Sequence, residues 1–212
     1  KRLEQTIARA MSRRGASNRD AGEHDASPRL TVRGLGGFEV SGRQAGEVKW
    51  ISKRSAELFA YLLVHRGRSV SRARILEDMF PDMPLRNAEI YLNTAAYQLR
   101  KALSPHGFKE SVLSTQEQYR VDLNRMDVDF IQFEQGVEEL SDIRTANEAA
   151  ALKLEKRFNG ELFEDCSYEW ATAERERLAI VYVSFAKPLA HRLFVQKRYR
   201  EAAQIARRLI SR

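Results

Sequence analysis

Five side chains between Arg86 and Leu103 carry chemistry in a pattern: Ile90, Thr94, Tyr97, Gln98 and Lys101. The spacing of Leu92, Ala96, Leu99 and Leu103, 4, 3 and 4 residues apart, predicts an apolar helix stripe and puts those five on the opposite side. Asn93 and Arg100 lie on the flanks. A helix entering the major groove of a duplex needs this mixture. Glutamine reads adenine in a bidentate way, threonine or isoleucine touches a thymine methyl, and tyrosine, arginine and lysine bind phosphate. A merely solvated face would be richer in Glu and Lys pairs. Here Glu89 is the sole acid from Arg86 to Leu103.

Other reactive residues offer less. His24, His65, His106 and His191 have no H-x-x-x-H spacing and no adjacent acid–base partner; His24 falls in a linker, and the others read as surface or helix-end residues. Cys166 is the one cysteine, which excludes an internal disulfide framework and a multi-cysteine metal site. Its neighbours Glu164 and Asp165 should raise its pKa and make it a poor nucleophile. Gly34-x-Gly36-Gly37 lacks the phosphate-loop pattern and precedes a strand, so it reads as sheet bends. Glu138-Glu139 and Glu174-x-Glu176 read as solvated helix faces. No enzyme, metal or cofactor is expected.

The elements that would position the reading face follow from local signals. Residues 29–50 alternate like strands, with SGRQAG as a turn. Ser52 can cap a helix running to about His65, with Leu58, Phe59, Leu62 and Leu63 inward and Gly67 at C′. Ser71 caps a second helix, RARILEDMF, closed off by Pro81 and Pro84. The third carries the reading face, and Val112–Thr115 with Tyr119–Leu123 predicts a hairpin around Gln116-Glu117-Gln118. After Met126 the pattern is helical only. Phe130, Phe133, Val137 and Leu140 line one helix; Ala146, Ala149, Ala150, Leu152 and Leu154 lie in another ending near Gly160. Trp170 to about Phe194 forms a long segment that Pro188 should kink or break, and Tyr199, Ala202, Ala203, Ala206 and Leu209 mark a fourth helix. Closely spaced alanines suit helical-hairpin repeats.

Charge divides along the same line. Of a net +7, residues 1–126 hold 22 Lys/Arg against 14 Asp/Glu, and residues 127–212 hold 14 against 15. One half therefore suits a polyanion, with nucleic acid favoured over a membrane surface because no polybasic run is present. Apolar runs such as Leu58–Val64 stay well below the ~20 residues of a membrane span. With no secretory signal and one cysteine, a reducing cytoplasm is the expected compartment. Residues 1–14 read as a short amphipathic helix and 15–28 as linker, the tail of an upstream domain, and truncation is expected at both ends.

Residues 29–126 resemble the OmpR/PhoB-type winged-helix output domain, through SRARILEDMFP, YLNTAAYQLRKAL and a hairpin ending in YRVDL. Residues 127–212 resemble the bacterial transcriptional activator domain, a tetratricopeptide-like module, through DVDFIQFEQ, GELFEDCSYEWATAERERL and RYREAAQIARRLI. The pairing is similar to SARP-type regulators, and YLNTAAYQLRKAL to the SAPR subgroup of two-component response regulators, in which a receiver precedes the pair. The resemblance implies an α+β winged helix-turn-helix followed by an all-α helical domain, and a sequence-specific activator serving a phosphorelay. It implies base-facing roles for Thr94 and Gln98 and phosphate contacts for Tyr97 and Arg100. Lys53 and Arg54 are candidates for further backbone contacts. Where the family has glycine before the wing tyrosine this chain has Gln118-Tyr119, which leaves Gln116, Gln118 and Arg120 as candidate wing contacts. Partners implied are duplex DNA in direct repeats bound by a dimer and an upstream receiver, with no membrane; the helical domain is open to RNA polymerase contact, dimerisation or ligand sensing. The competing reading is a tetratricopeptide-like protein-interaction scaffold with a basic tether.

Overall fold

The computed structural model describes residues 29–42, 45–140, 142–143 and 145–210. The helix and linker expected over residues 1–28 lie outside them. The chain opens with β1 (Leu30–Arg33), β2 (Glu39–Gly42) and β3 (Gly46–Glu47), an antiparallel meander with Val32 opposite Val40. Then come α1 (Lys53–Val64), the short β4 (Val70–Ser71), α2 (Arg72–Met79) and α3 (Leu85–Leu103). Both predicted serine caps form: Ser52 accepts from the Ser55 N–H at 3.2 Å and Ser71 from the Arg74 N–H at 3.2 Å. Each satisfies an amide that a helix start leaves without an intrahelical partner. At the other end of α1, Arg66 takes up the left-handed conformation (φ 53) before Gly67 does (φ 75), so the chain turns one residue earlier than the glycine suggests.

β5 (Val112–Ser114) and β6 (Gln118–Val121) make the expected hairpin, and β4 adds a strand through Val70 opposite Tyr119. β7 (Met126–Val128) then returns to pair in parallel with β1, Val32 opposite Val128. A parallel pair needs a long crossover. Here the crossover is the entire three-helix bundle with its hairpin. β7 spans the expected boundary at residue 126, and it leads straight into α4 (Asp129–Glu139).

The helical half continues with α5 (Glu148–Glu155), α6 (Thr172–Val195) and α7 (Tyr199–Ile210). Phe133, Phe158, Tyr182 and Phe185 form its centre, with Phe158 stacked on Tyr182 at 4.3 Å between rings. Four expectations need correcting. α6 runs unbroken through Pro188. α5 is shorter than expected: it starts after Ala146 and ends at Glu155, not near Gly160, with Ala151 and Leu154 inward and Phe158 closing the core from the following loop. His106 is buried against Gly42 and is no surface residue. Finally, residues Glu169–Val195 are long and apolar enough to cross a membrane by length and composition. That helix packs Leu178, Tyr182, Phe185, Leu189 and Leu193 into the bundle, and the spacing of these residues is that of a core-facing stripe.

One continuous core runs through both halves. The glycines after β1 are where they meet. Gly34 lies so close to Phe130 and Phe163 that a Cβ would sit 3.0 Å from each ring, and Gly36 holds φ 97. The Phe163 N–H donates to the Gly34 carbonyl at 2.7 Å, and the Gly36 N–H to the Glu161 carbonyl at 2.8 Å. Asp129 accepts from the Gly34 N–H at 2.8 Å and the Leu35 N–H at 3.1 Å. Burial holds its carboxyl above the ordinary aspartate range despite these donors. Phe163 itself sits at φ 53, a conformation costing roughly 1–2 kcal/mol. Fully burying its ring recovers about as much or more.

Candidate nucleic-acid interface

α3 buries Ala88, Leu92, Ala95, Ala96, Leu99, Ala102 and Leu103, the predicted stripe with the intervening alanines added. The alanines let α1 pack closely on one side. The opposite side is open. Ile90, Thr94, Tyr97 and Lys101 form a solvent-facing ridge, with Tyr97 64% and Ile90 57% exposed. Arg86, Asn87 and Tyr91 extend that ridge toward the helix start and were not singled out from sequence. One turn of helical spacing back from Ile90 and Thr94 would have reached them. The Thr94 hydroxyl donates to the Ile90 carbonyl at 2.9 Å, which leaves its methyl and oxygen lone pairs outward.

Of the remaining candidates, all but Lys53 are engaged. Gln98 is half-buried at the edge of the ridge, where its Oε1 accepts from the Ser52 hydroxyl at 2.5 Å. Arg100 ties the hairpin to the helix: its guanidinium donates from Nε to the Val112 carbonyl at 3.1 Å and from Nη2 to Ser114 Oγ at 2.6 Å. Asn93 accepts from Arg72 at 3.1 Å and is within 3.5 Å of the Tyr119 hydroxyl, so it braces the same joint. Arg54 pairs with Glu57 at 2.6 Å and lies over the Phe80 ring. Lys53 is exposed at the start of α1. Among the described residues, Lys49, Lys53, Arg68, Arg86, Lys101 and Arg120 are exposed or partly exposed cations with no carboxylate partner, and Arg125, also without one, lies over the Phe108 ring.

The hairpin turn closes without glycine. Thr115 Oγ1 accepts from the Gln118 N–H at 3.1 Å, and the Thr115 N–H donates to the Gln118 carbonyl at 2.9 Å. A hydroxyl does locally what glycine does by conformational freedom. Gln116, Gln118 and Arg120 are all exposed on it, while Tyr119 turns inward.

Residues 46–119 match the family model described as Transcriptional regulatory protein, C terminal. Residues 46–119 are an OmpR/PhoB-type winged helix. A winged helix of this type is the DNA-binding part of transcriptional regulatory proteins. Among solved structures, Mycobacterium tuberculosis EmbR in complex with a low affinity phosphopeptide has the same architecture, a winged helix followed by several helices. The two superpose with a TM-score of 0.62 at 16% sequence identity, over 86% of this chain. The chain spans 59% of the EmbR chain. No curated protein matches this sequence at a significant level.

No group of three or more His, Cys, Asp or Glu that could hold a metal occurs among the described residues. Burial pushes the Cys166 thiol up to about 11, with Asp165 adding to the shift and Tyr168 opposing it. Almost none of it is thiolate at neutral pH. The two histidines within the winged helix, His65 and His106, are both held below the ordinary value by burial.

Proposed function

We propose that this chain is the output region of a phosphorelay response regulator, a sequence-specific activator that binds duplex DNA through the winged helix. One observation carries the reading: the outer ridge of α3 is open, nearly free of acid, and lined by groups that bond bases or phosphates. In this reading Ile90 and Thr94 meet base methyls, Gln98 reaches a base edge, and Tyr97, Lys101 and Lys53 lie on phosphate. Arg100, Asn93 and Arg54 hold the surface in shape. The resemblance to SARP-type regulators supports an upstream receiver and a contact between the helical half and RNA polymerase in the cytoplasm. Division of the chain at residues 29–126 and 127–212 then describes roles and not separate cores.

One winged helix has too small a footprint for nanomolar specificity, so two copies are expected on one operator. The family resemblance favours a head-to-tail pair reading direct repeats, with centres roughly 10–11 base pairs apart so that both helices enter the same face. Selection of sites from a random duplex pool tests this. Direct repeats support the tandem pair, inverted repeats replace it with a two-fold dimer, and failure to enrich any duplex returns the chain to the scaffold reading. The exposed Phe194, Val195 and Tyr199 on α6 and α7 are the feature that favours a protein-binding role for the helical half.

A further inference from the structure

The Ser52–Gln98 hydrogen bond has a directional consequence. The Ser52 hydroxyl already accepts from the Ser55 N–H as the cap of α1, so its single proton needs an acceptor elsewhere. Gln98 Oε1, 2.5 Å away, is that acceptor. An Nε2 in the same place would make the hydroxyl accept twice and leave its proton to solvent, without a partner in the protein. The side-chain amide is planar, and its oxygen and nitrogen lie on opposite branches. Holding Oε1 against the start of α1 therefore leaves Nε2 as the branch free to meet DNA, and no described residue accepts from it.

We infer that Ser52 is a positioning residue that fixes Gln98 as a donor-only reader, directing it to base acceptors such as guanine N7 and O6. Bidentate reading of adenine requires the amide to offer both its oxygen and its nitrogen to the same base. Ser52 withholds the oxygen. A residue 46 positions away, outside the recognition helix, thus sets a base preference. This rests on the proposed contact between Gln98 and a base edge.

The test uses the full chain and site selection, followed by paired duplexes differing at one base pair. Gln98→Ala first identifies the position that Gln98 reads, as the one whose preference disappears. At that position the unaltered chain should favour guanine over adenine by roughly tenfold. Ser52→Thr keeps both the cap and the donated proton and should keep the preference. Ser52→Asp keeps the cap but has no proton to give, so it draws Nε2 to itself and turns Oε1 outward. The preference should then move to adenine or cytosine, whose exocyclic amines donate. Ser52→Ala should reduce the discrimination to within about threefold. Melting curves confirm that each variant folds, and Ser52→Asp and Ser52→Thr answer the question even if loss of the cap unfolds Ser52→Ala. If Gln98→Ala abolishes a preference that Ser52→Asp leaves at guanine, the positioning role is overturned while the contact stands. If Gln98→Ala changes no preference, the contact and the positioning role fall together.

Discussion

At the scale of single residues, two neighbouring cations on one helix do different work. Lys101 is exposed with no acidic partner among the described residues, whereas Arg100 spends its guanidinium on Val112 and Ser114. Lys101→Ala should lower the salt slope of DNA binding by about one and leave thermal stability unchanged. Arg100→Ala should instead destabilise the wing by about 1 kcal/mol, allowing for its partial exposure, with little change in slope. Melting curves and binding isotherms across a salt series separate the two. The reading face of α3 was legible in the sequence because its signal is local: an apolar stripe at helical spacing and an acid-poor opposite side. The occupations of Arg100, Asn93 and Gln98 were not. Each depends on a partner brought near by the fold, and no spacing rule reports which of several exposed polar side chains will find one.

At the scale of elements, α6 and the joint it makes with α1 carry the departures from expectation. Pro188 removes one backbone N–H and crowds the preceding turn, yet neighbours on both sides, Phe185, Ala186 and Leu189, are fully packed and hold the helix together. Propensity is a local quantity and packing overrode it. Pro188→Ala should therefore stabilise the chain by about 1–3 kcal/mol, read as a higher melting temperature. At the start of α6, Glu174 bonds Arg66 at 2.5 Å and Arg177 at 2.8 Å, and Glu134 from α4 joins both arginines. Burial acts to raise the Glu174 carboxyl, but the two arginines outweigh it and hold it below its ordinary 4.5. A carboxylate depressed in the folded state contributes its stability above the unfolded value and loses it as pH falls through the folded one. The joint should thus weaken below about pH 4.5. Glu174→Gln should be less stable than the unaltered chain at neutral pH, and the gap should close on acidification, as melting temperatures at a series of pH values would record.

At the scale of the whole molecule, the two halves that composition separates so clearly are joined by one core. Charge and periodicity change at Met126, which is why the boundary reads there. The strand Met126–Val128 nevertheless completes the first sheet, and Asp129 holds the Gly34 and Leu35 amides from the far side of that boundary. Neither tie leaves a mark in the sequence, since a three-residue parallel strand and a single aspartate are indistinguishable from linker. The consequence concerns folding. A fragment of residues 29–126 keeps the winged helix and its positive balance but loses Val128, Phe130 and Phe163, all buried to within 2% of full cover. Each large side chain removed from contact forfeits about 1.5–3 kcal/mol of burial, and small domains have only about 5–15 kcal/mol in total. Residues 29–210 should therefore melt in one cooperative transition, with the 29–126 fragment melting well below it and binding DNA only at temperatures beneath its own midpoint. Calorimetry on the two chains decides the matter. Equal melting temperatures would mean that the halves fold independently and that the shared core transmits nothing between them. A large gap would mean that any partner gripping the helical half also acts on the stability of the DNA-reading surface.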